Sequence, residues 1–146
     1  MDLCKHHGIV QQFTVPQTLQ QNGVEERKNK TLVECARSML QGKGLSNGLW
    51  AEVINIIMYL KNRSPTRCPG FKTPFEAFFG FKLAVSHLRI FGSKAYAHIP
   101  KVDRKKLDPK ALKCIFVGYG TELKVYKLFN PMTHKVFASR DVIFRE

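Results

Sequence analysis

The hydrophobic pattern changes period near Gly92, helical before it and alternating after it. Val24, Leu32, Ala36, Met39 and Leu40 recur at helical spacing and predict an amphipathic helix. Asn22-Gly23 supplies a turn before it, with Asn22 as the N-cap. Glu25 and Glu26 fall in its first turn, where the helix dipole favours negative charge. The Gly42-Lys43-Gly44 break then ends the helix, and Ser46 or Asn47 can cap the next one. That second helix, Leu49–Asn62, carries Leu49, Trp50, Val53, Ile54, Ile56, Ile57, Met58 and Leu60 on almost every side. Such a helix is expected to be buried between other elements, with Trp50 a core residue.

A third, short helix is predicted over Pro74–Gly80, with Thr73 as its N-cap and Pro74 at the first helical position. Beyond Gly92, Ala95–Ile99, Lys113–Tyr119, Lys124–Phe129 and Lys135–Phe144 read as strands, with a turn at Asn130–Thr133. Several short strands in so few residues predict a small barrel. Near the start, Met1–His7 reads as the tail of a helix and Ile9–Val15 as a short edge strand stopped by Pro16. The sheet that this strand should join is not visibly encoded in the first half of the chain. The fold class is α+β, with residues 1–64 one unit, 65–91 a Phe-rich connector and 92–146 an all-β unit.

Composition changes this picture mainly through charge. The 146 residues are 44% hydrophobic and 24% charged, a globular balance, and the net charge is +13. Residues 1–65 hold 8 Lys/Arg against 5 Asp/Glu, and residues 66–146 hold 16 against 6. An excess so concentrated favours a polyanionic partner, most simply nucleic acid. Lys101, Arg104, Lys105, Lys106, Lys110 and Lys113 crowd one stretch between two predicted strands, a solvated loop or a phosphate-contacting one. Phe71, Phe75, Phe78, Phe79 and Phe81 cluster in the connector, favouring a packed hinge over a base-stacking surface.

The four cysteines, Cys4, Cys35, Cys68 and Cys114, show no C-x-x-C pair and no zinc-finger spacing to His. They read as thiols in a reducing compartment. The most apolar window, Leu49–Leu60, holds Glu52 and Asn55 and is too short to span a bilayer. No signal peptide is visible, so a soluble intracellular protein without a membrane partner is expected. Glu26, Asn29, Lys30 and Arg37 project from the polar face of the first helix. Taken alone, Glu26 reads first as an i,i+4 partner of Lys30, and second as a ligand for a hard cation.

The stretch GIVQQFTVPQTLQQNGVEERKNKTLVECARSML resembles the last part of the integrase core of Copia-type retrotransposon Pol polyproteins. The likeness continues through LWAEVINIIMYLKNRSPT, KTPFEAFFGFK, VSHLRIFGSKAYAHIP, KLDPKALKCIFVGYG and KVYKLFNPMTHKVFASRDVIF, nearly the whole chain. Six blocks in order are far more specific than a lone NG-x-x-ER. The resemblance implies the helical C-terminal remnant of a ribonuclease-H-like integrase core followed by an SH3-like barrel. It implies a polynucleotidyl transferase that uses Mg2+ or Mn2+ on three carboxylates, of which Glu26 is the third, catalytic and metal-binding. The other two are upstream Asp residues, and the family's spacing places both before Met1. The chain alone is therefore expected to bind no metal pair and to be inactive in strand transfer.

The implied partners are retroelement ends and target DNA, with integrase copies or other Pol segments as further candidates. Nucleic-acid contacts are assigned to Lys30, Arg37, Lys101, Arg104, Lys105, Lys106, Lys110 and Lys113. The implied location is the nucleus or a cytoplasmic virus-like particle. Departures from the family pattern include Leu19 for a Pro, Glu25 for an Ala, Ser93 for a Cys and Val125 for a Gly. Two other readings stand beside this one: a non-catalytic basic nucleic-acid-binding module, and a degenerate genomic fragment without function.

Overall fold

The computed structural model describes residues 6, 8, 10, 13, 22–67, 70–120 and 125–146. Helix α1 spans Gly23–Gly42 and helix α2 spans Trp50–Arg63. A short helix α3 covers Pro74–Phe79. Five strands follow: β1 Lys94–His98, β2 Ala111–Tyr119, β3 Tyr126–Asn130, β4 Lys135–Ser139 and β5 Val142–Arg145.

The apolar stripe of α1 is buried only towards its C-terminal end. Ala36 and Leu40 are buried and Leu32, Cys35 and Met39 partly so, whereas Val24 is 59% exposed. The 20 residues of α1 outreach the 14 of α2, and the two helices are joined at the C-terminal end of α1. Asn22 stands at the N-cap position, but its backbone is already helical and its side chain caps nothing. A capping residue needs an extended backbone to turn its side chain onto the first free N–H groups, and Asn22 lacks that geometry. The other end closes as expected. Leu45 N–H donates to Leu40 O (3.0 Å) and Gly44 N–H to Gln41 O (3.1 Å), with Gly44 at φ +61°.

The Ser46 hydroxyl accepts from Gly48 N–H (3.2 Å) and caps the 3-10 turn Asn47–Leu49 that leads into α2. Helix α2 buries Val53, Ile56 and Ile57 between α1 and β2. It is not enclosed on all sides. Trp50 is 64% exposed, contrary to the core role its apolar surroundings suggest, and Met58 is also exposed. With α1, β2 and the short α3 as neighbours, only part of its circumference is covered, so apolar residues on the remaining face stay open. Thr73 caps α3 as predicted, accepting from Glu76 N–H (3.0 Å), and Gly80 ends it at φ +80°.

All strand pairs are antiparallel, in the order β4-β3-β2-β1-β5. Ala95 faces Cys114 and Ala97 faces Leu112 across β1 and β2, and a bulge falls between Phe116 and Gly118. The single strand expected over Lys135–Phe144 is instead two. β4 pairs with β3 at one end of the sheet and β5 with β1 at the other, so the chain must leave the sheet at Arg140–Asp141. On its return, Asp141 O accepts from His98 N–H (2.9 Å).

Ala95, Ala97, Cys114, Phe116, Val117, Leu128 and Phe129 are buried in one core continuous with Val53, Ile56 and Ile57 of α2. The fold is α+β, with α2 seated on the antiparallel sheet and α1 and α3 packed against α2. The predicted strand Ile9–Val15 lies largely outside the described residues. Of it, Val10 and Phe13 are described, both exposed and neither in a strand. Of Met1–His7 only His6 is described, in helical conformation. No helix among the described residues is long and apolar enough to cross a membrane.

Candidate nucleic-acid interface

The loop between β1 and β2 is built on a closed base. Ile99 N–H donates to Lys110 O (3.0 Å), continuing the β1–β2 ladder into the loop. A 3-10 turn, Lys101–Asp103, opens the loop after Pro100. Further on, Lys105 N–H donates to Asp108 Oδ2 (2.8 Å) and Asp108 N–H donates to Lys105 O (3.1 Å). The Asp108 carboxylate is thus occupied in shaping the turn.

Lys101, Arg104, Lys105 and Lys106 line one concavity of about 270 Å3, and no other described residue lines it. Arg104 Nε is buried with no hydrogen-bond partner among the described residues, while Lys101, Lys105 and Lys106 are exposed. Val102 and Leu107, 95% and 96% exposed, stand in the same loop. Four cations around one hollow repel one another, and a bound anion relieves that repulsion. Their arrangement suits a phosphodiester, which accepts from several donors and carries no positive charge of its own.

The other predicted contact residues are placed differently. Lys110 closes the base of the loop, and Lys113 lies in β2 opposite Tyr96, exposed but outside the hollow. Lys30 and Arg37 are exposed on α1. Arg37 lines a separate groove of about 310 Å3 with Val33, Trp50 and Ile54 between the two long helices. Four of the eight predicted nucleic-acid residues therefore meet in one hollow and four do not.

Glu26 is exposed in the first turn of α1. Among the described residues no group of three His, Cys, Asp or Glu side chains stands close enough to hold a metal ion. An exposed single carboxylate does not fit a pair of divalent cations, which need several anionic oxygens. The described residues thus do not fit the metal site that the resemblance implies. Among the described cysteines, Cys35 and Cys114 are both free thiols, and burial pushes the Cys114 thiol above its ordinary pKa.

A cluster that sequence reading misses ties the helices to the sheet. Tyr59 Oη of α2 and His87 Nε2 are hydrogen bonded at 2.6 Å, and the Tyr59 ring stacks on Tyr119 of β2 at 4.3 Å between centroids. Tyr119 Oη accepts from Arg89 N–H (2.8 Å) and donates to Arg89 O (3.3 Å). Tyr126 Oη donates to His87 O (3.4 Å). Burial raises the pKa of Tyr59 and Tyr119, and the nearby Arg63 and Arg89 partly oppose that shift. The only signal in sequence is the aromatic content of the strands, since the partners lie up to 39 positions apart.

The family model of the retroviral polymerase SH3-like domain matches residues 93–146, the stretch that forms the five strands. The chain is 46% identical over 145 residues to the retrovirus-related Pol polyprotein from transposon TNT 1-94 of Nicotiana tabacum, covering 99% of the chain and 11% of that protein. It is 31% identical over 140 residues to the Pol polyprotein from transposon RE1 of Arabidopsis thaliana, covering 96% of the chain and 10% of that protein. An uncharacterized mitochondrial protein of Arabidopsis thaliana is 36% identical over 85 residues, 58% of the chain and 68% of that protein. The chain spans about a tenth of the length of the Pol polyproteins it matches. With an SH3-like domain at residues 93–146 and likeness to Pol polyproteins along nearly its full length, the chain belongs to the Copia-type retrotransposon Pol polyprotein family.

Proposed function

We propose that this chain is an integrase segment of a retrotransposon Pol polyprotein that holds DNA through the loop between β1 and β2. The observation that carries this reading is the convergence of Lys101, Arg104, Lys105 and Lys106 on one hollow without a described carboxylate. Contacts to phosphate supply affinity and register without reading bases, so binding is steeply salt-dependent and weakly sequence-selective. Retroelement ends and target DNA are the proposed partners, with further integrase copies beside them, in the nucleus or a cytoplasmic particle.

In this reading α1 and α2 are the C-terminal helices of a ribonuclease-H-like core, and Glu26 is the carboxylate they contribute to a Mg2+ or Mn2+ site. A lone carboxylate cannot hold a pair of divalent cations, so in this reading the chain alone binds DNA and does not cut it. The test replaces Arg104, Lys105 and Lys106 together with Ala and measures duplex DNA affinity across a salt series. The slope of log affinity against log salt should flatten by about one unit per charge removed. A variant that melts like the parent and keeps its affinity and slope would show that this loop is only a solvated face. A second assay adds Mg2+ or Mn2+ to a labelled duplex end. Cleavage lost in Glu26→Gln would overturn the binding-only reading.

A further inference from the structure

The connector presents rings to solvent that its own packing leaves open. Phe71 is 76% exposed, Phe78 83%, Phe79 55% and Phe81 54%, so the hinge favoured by sequence is not packed. Phe75, Phe78, Phe79 and Phe81 nevertheless form one continuous cluster. The centroid distances are 4.3 Å for Phe75–Phe79, 4.9 Å for Phe78–Phe79 and 5.6 Å for Phe75–Phe81. Phe71 is the second unusual feature. Its φ is +61°, a conformation costly for a bulky side chain, yet burial of the ring does not offset that strain. The backbone there is held in place, since Thr66 N–H donates to Lys72 O (3.0 Å) beneath it.

Cations surround these rings. Arg63, Phe71, Glu76 and Lys82 line one concavity of about 290 Å3, and the Arg63 guanidinium lies 3.4 Å from the centre of the Tyr59 ring. Arg67, Lys72 and Lys82 are exposed along the same connector, in which Glu76 is the one carboxylate. Exposed rings interleaved with cations match what unpaired bases and their phosphates need. Paired bases cannot reach such rings, because they are already stacked within the duplex. A second copy of the patch fits poorly, since a self-complementary contact would bring like charges together.

We infer that Phe71, Phe78, Phe79 and Phe81 form a stacking platform for unpaired bases of single-stranded DNA, with Arg67, Lys72 and Lys82 beside its phosphates. The choice of DNA as the polymer rests on the function proposed above; the platform itself rests on the exposed rings and the strained backbone at Phe71.

The test measures binding of a short labelled oligo(dT), the matching oligo(U) and a duplex to five proteins: the parent, Phe71→Gly, Phe71→Gly with Phe78→Ala, Phe78→Trp, and the loop variant lacking Arg104, Lys105 and Lys106. Phe71→Gly with Phe78→Ala should weaken oligo(dT) by at least about thirtyfold, with an unchanged salt slope and little effect on the duplex. Phe71→Gly should also raise Tm, because glycine accepts a positive φ, an effect a merely structural ring would not give. Phe78→Trp should keep or tighten oligo(dT) binding. Unchanged oligo(dT) affinity in the double variant would overturn the platform. So would an equal loss on duplex, tighter binding of oligo(U) than oligo(dT), or a changed oligomeric state with DNA binding intact. A parent that binds duplex but no oligo(dT) sinks the platform and leaves the loop reading standing. A parent that binds oligo(dT) through these rings but no duplex does the reverse.

Discussion

Gly92 is where the helical half is locked to the sheet, and Gly92→Ala tests that joint. Its N–H donates to Phe116 O (2.9 Å) and the next residue's carbonyl accepts from Phe116 N–H (3.0 Å), so its backbone cannot drift without opening β2. Its φ is +75°, and an added Cβ would lie 2.6 Å from Lys43 Cγ, 2.9 Å from Cδ and 3.0 Å from Cβ. Gly80 is the internal control: its φ is +80°, and nothing lies within 4 Å of an added Cβ. Both substitutions incur the left-handed penalty of roughly 1–2 kcal/mol. Only Gly92→Ala also displaces the Lys43 stem, which overpacks the joint by about another 1–3 kcal/mol. Gly92→Ala should therefore lose about 2–5 kcal/mol, well beyond Gly80→Ala. Urea unfolding followed by far-UV circular dichroism measures both, with an unchanged m-value required for the comparison. Adding Lys43→Ala to Gly92→Ala removes Cγ and Cδ and should recover part of the loss, after correction for Lys43→Ala alone. Equal losses at Gly80 and Gly92, or no recovery, would refute the contact between Lys43 and the sheet entry.

Two further outcomes follow from burial. The Tyr59 and Tyr119 phenols are held above the ordinary 10.0 by desolvation, so the folded state keeps those protons longer than the unfolded one. That stability is fully present below the unfolded value and is lost as pH rises through the raised values. A urea series from neutral to strongly alkaline pH should show the decline, and Tyr119→Phe should flatten it; a decline of equal steepness in the variant contradicts this. Cys114 is 1% exposed with its pKa raised by burial, whereas Cys35 is only half-buried. Under native conditions a thiol reagent should modify Cys35 well before Cys114, and mass mapping that finds the reverse order would show that β2 opens readily.

Much of the fold was legible in local pattern. Thr73 with Pro74 marks the start of α3 because capping and a preset φ act within one turn. The period shift near Gly92 marks the entry to the sheet because alternation follows from the pleat. What depends on distant partners was not legible. Trp50 reads as core from its neighbours in sequence, but only packing decides which face of α2 is covered. The Lys135–Phe144 run reads as one strand from its β-forming residues, and its division at Arg140–Asp141 comes from β4 and β5 having different partners. In the same way charge density picked out the Lys101–Lys106 loop. Convergence on one hollow, which leaves out Lys30, Arg37, Lys110 and Lys113, came from the turn that Asp108 builds.

The most direct test of DNA holding by this loop is a lysine-modification footprint with and without duplex DNA at low salt. Protection should appear first at Lys101, Lys105 and Lys106 and fade together as salt is raised. Protection centred on Lys28 and Lys30 of α1, with the loop lysines modified equally in both samples, would contradict the account.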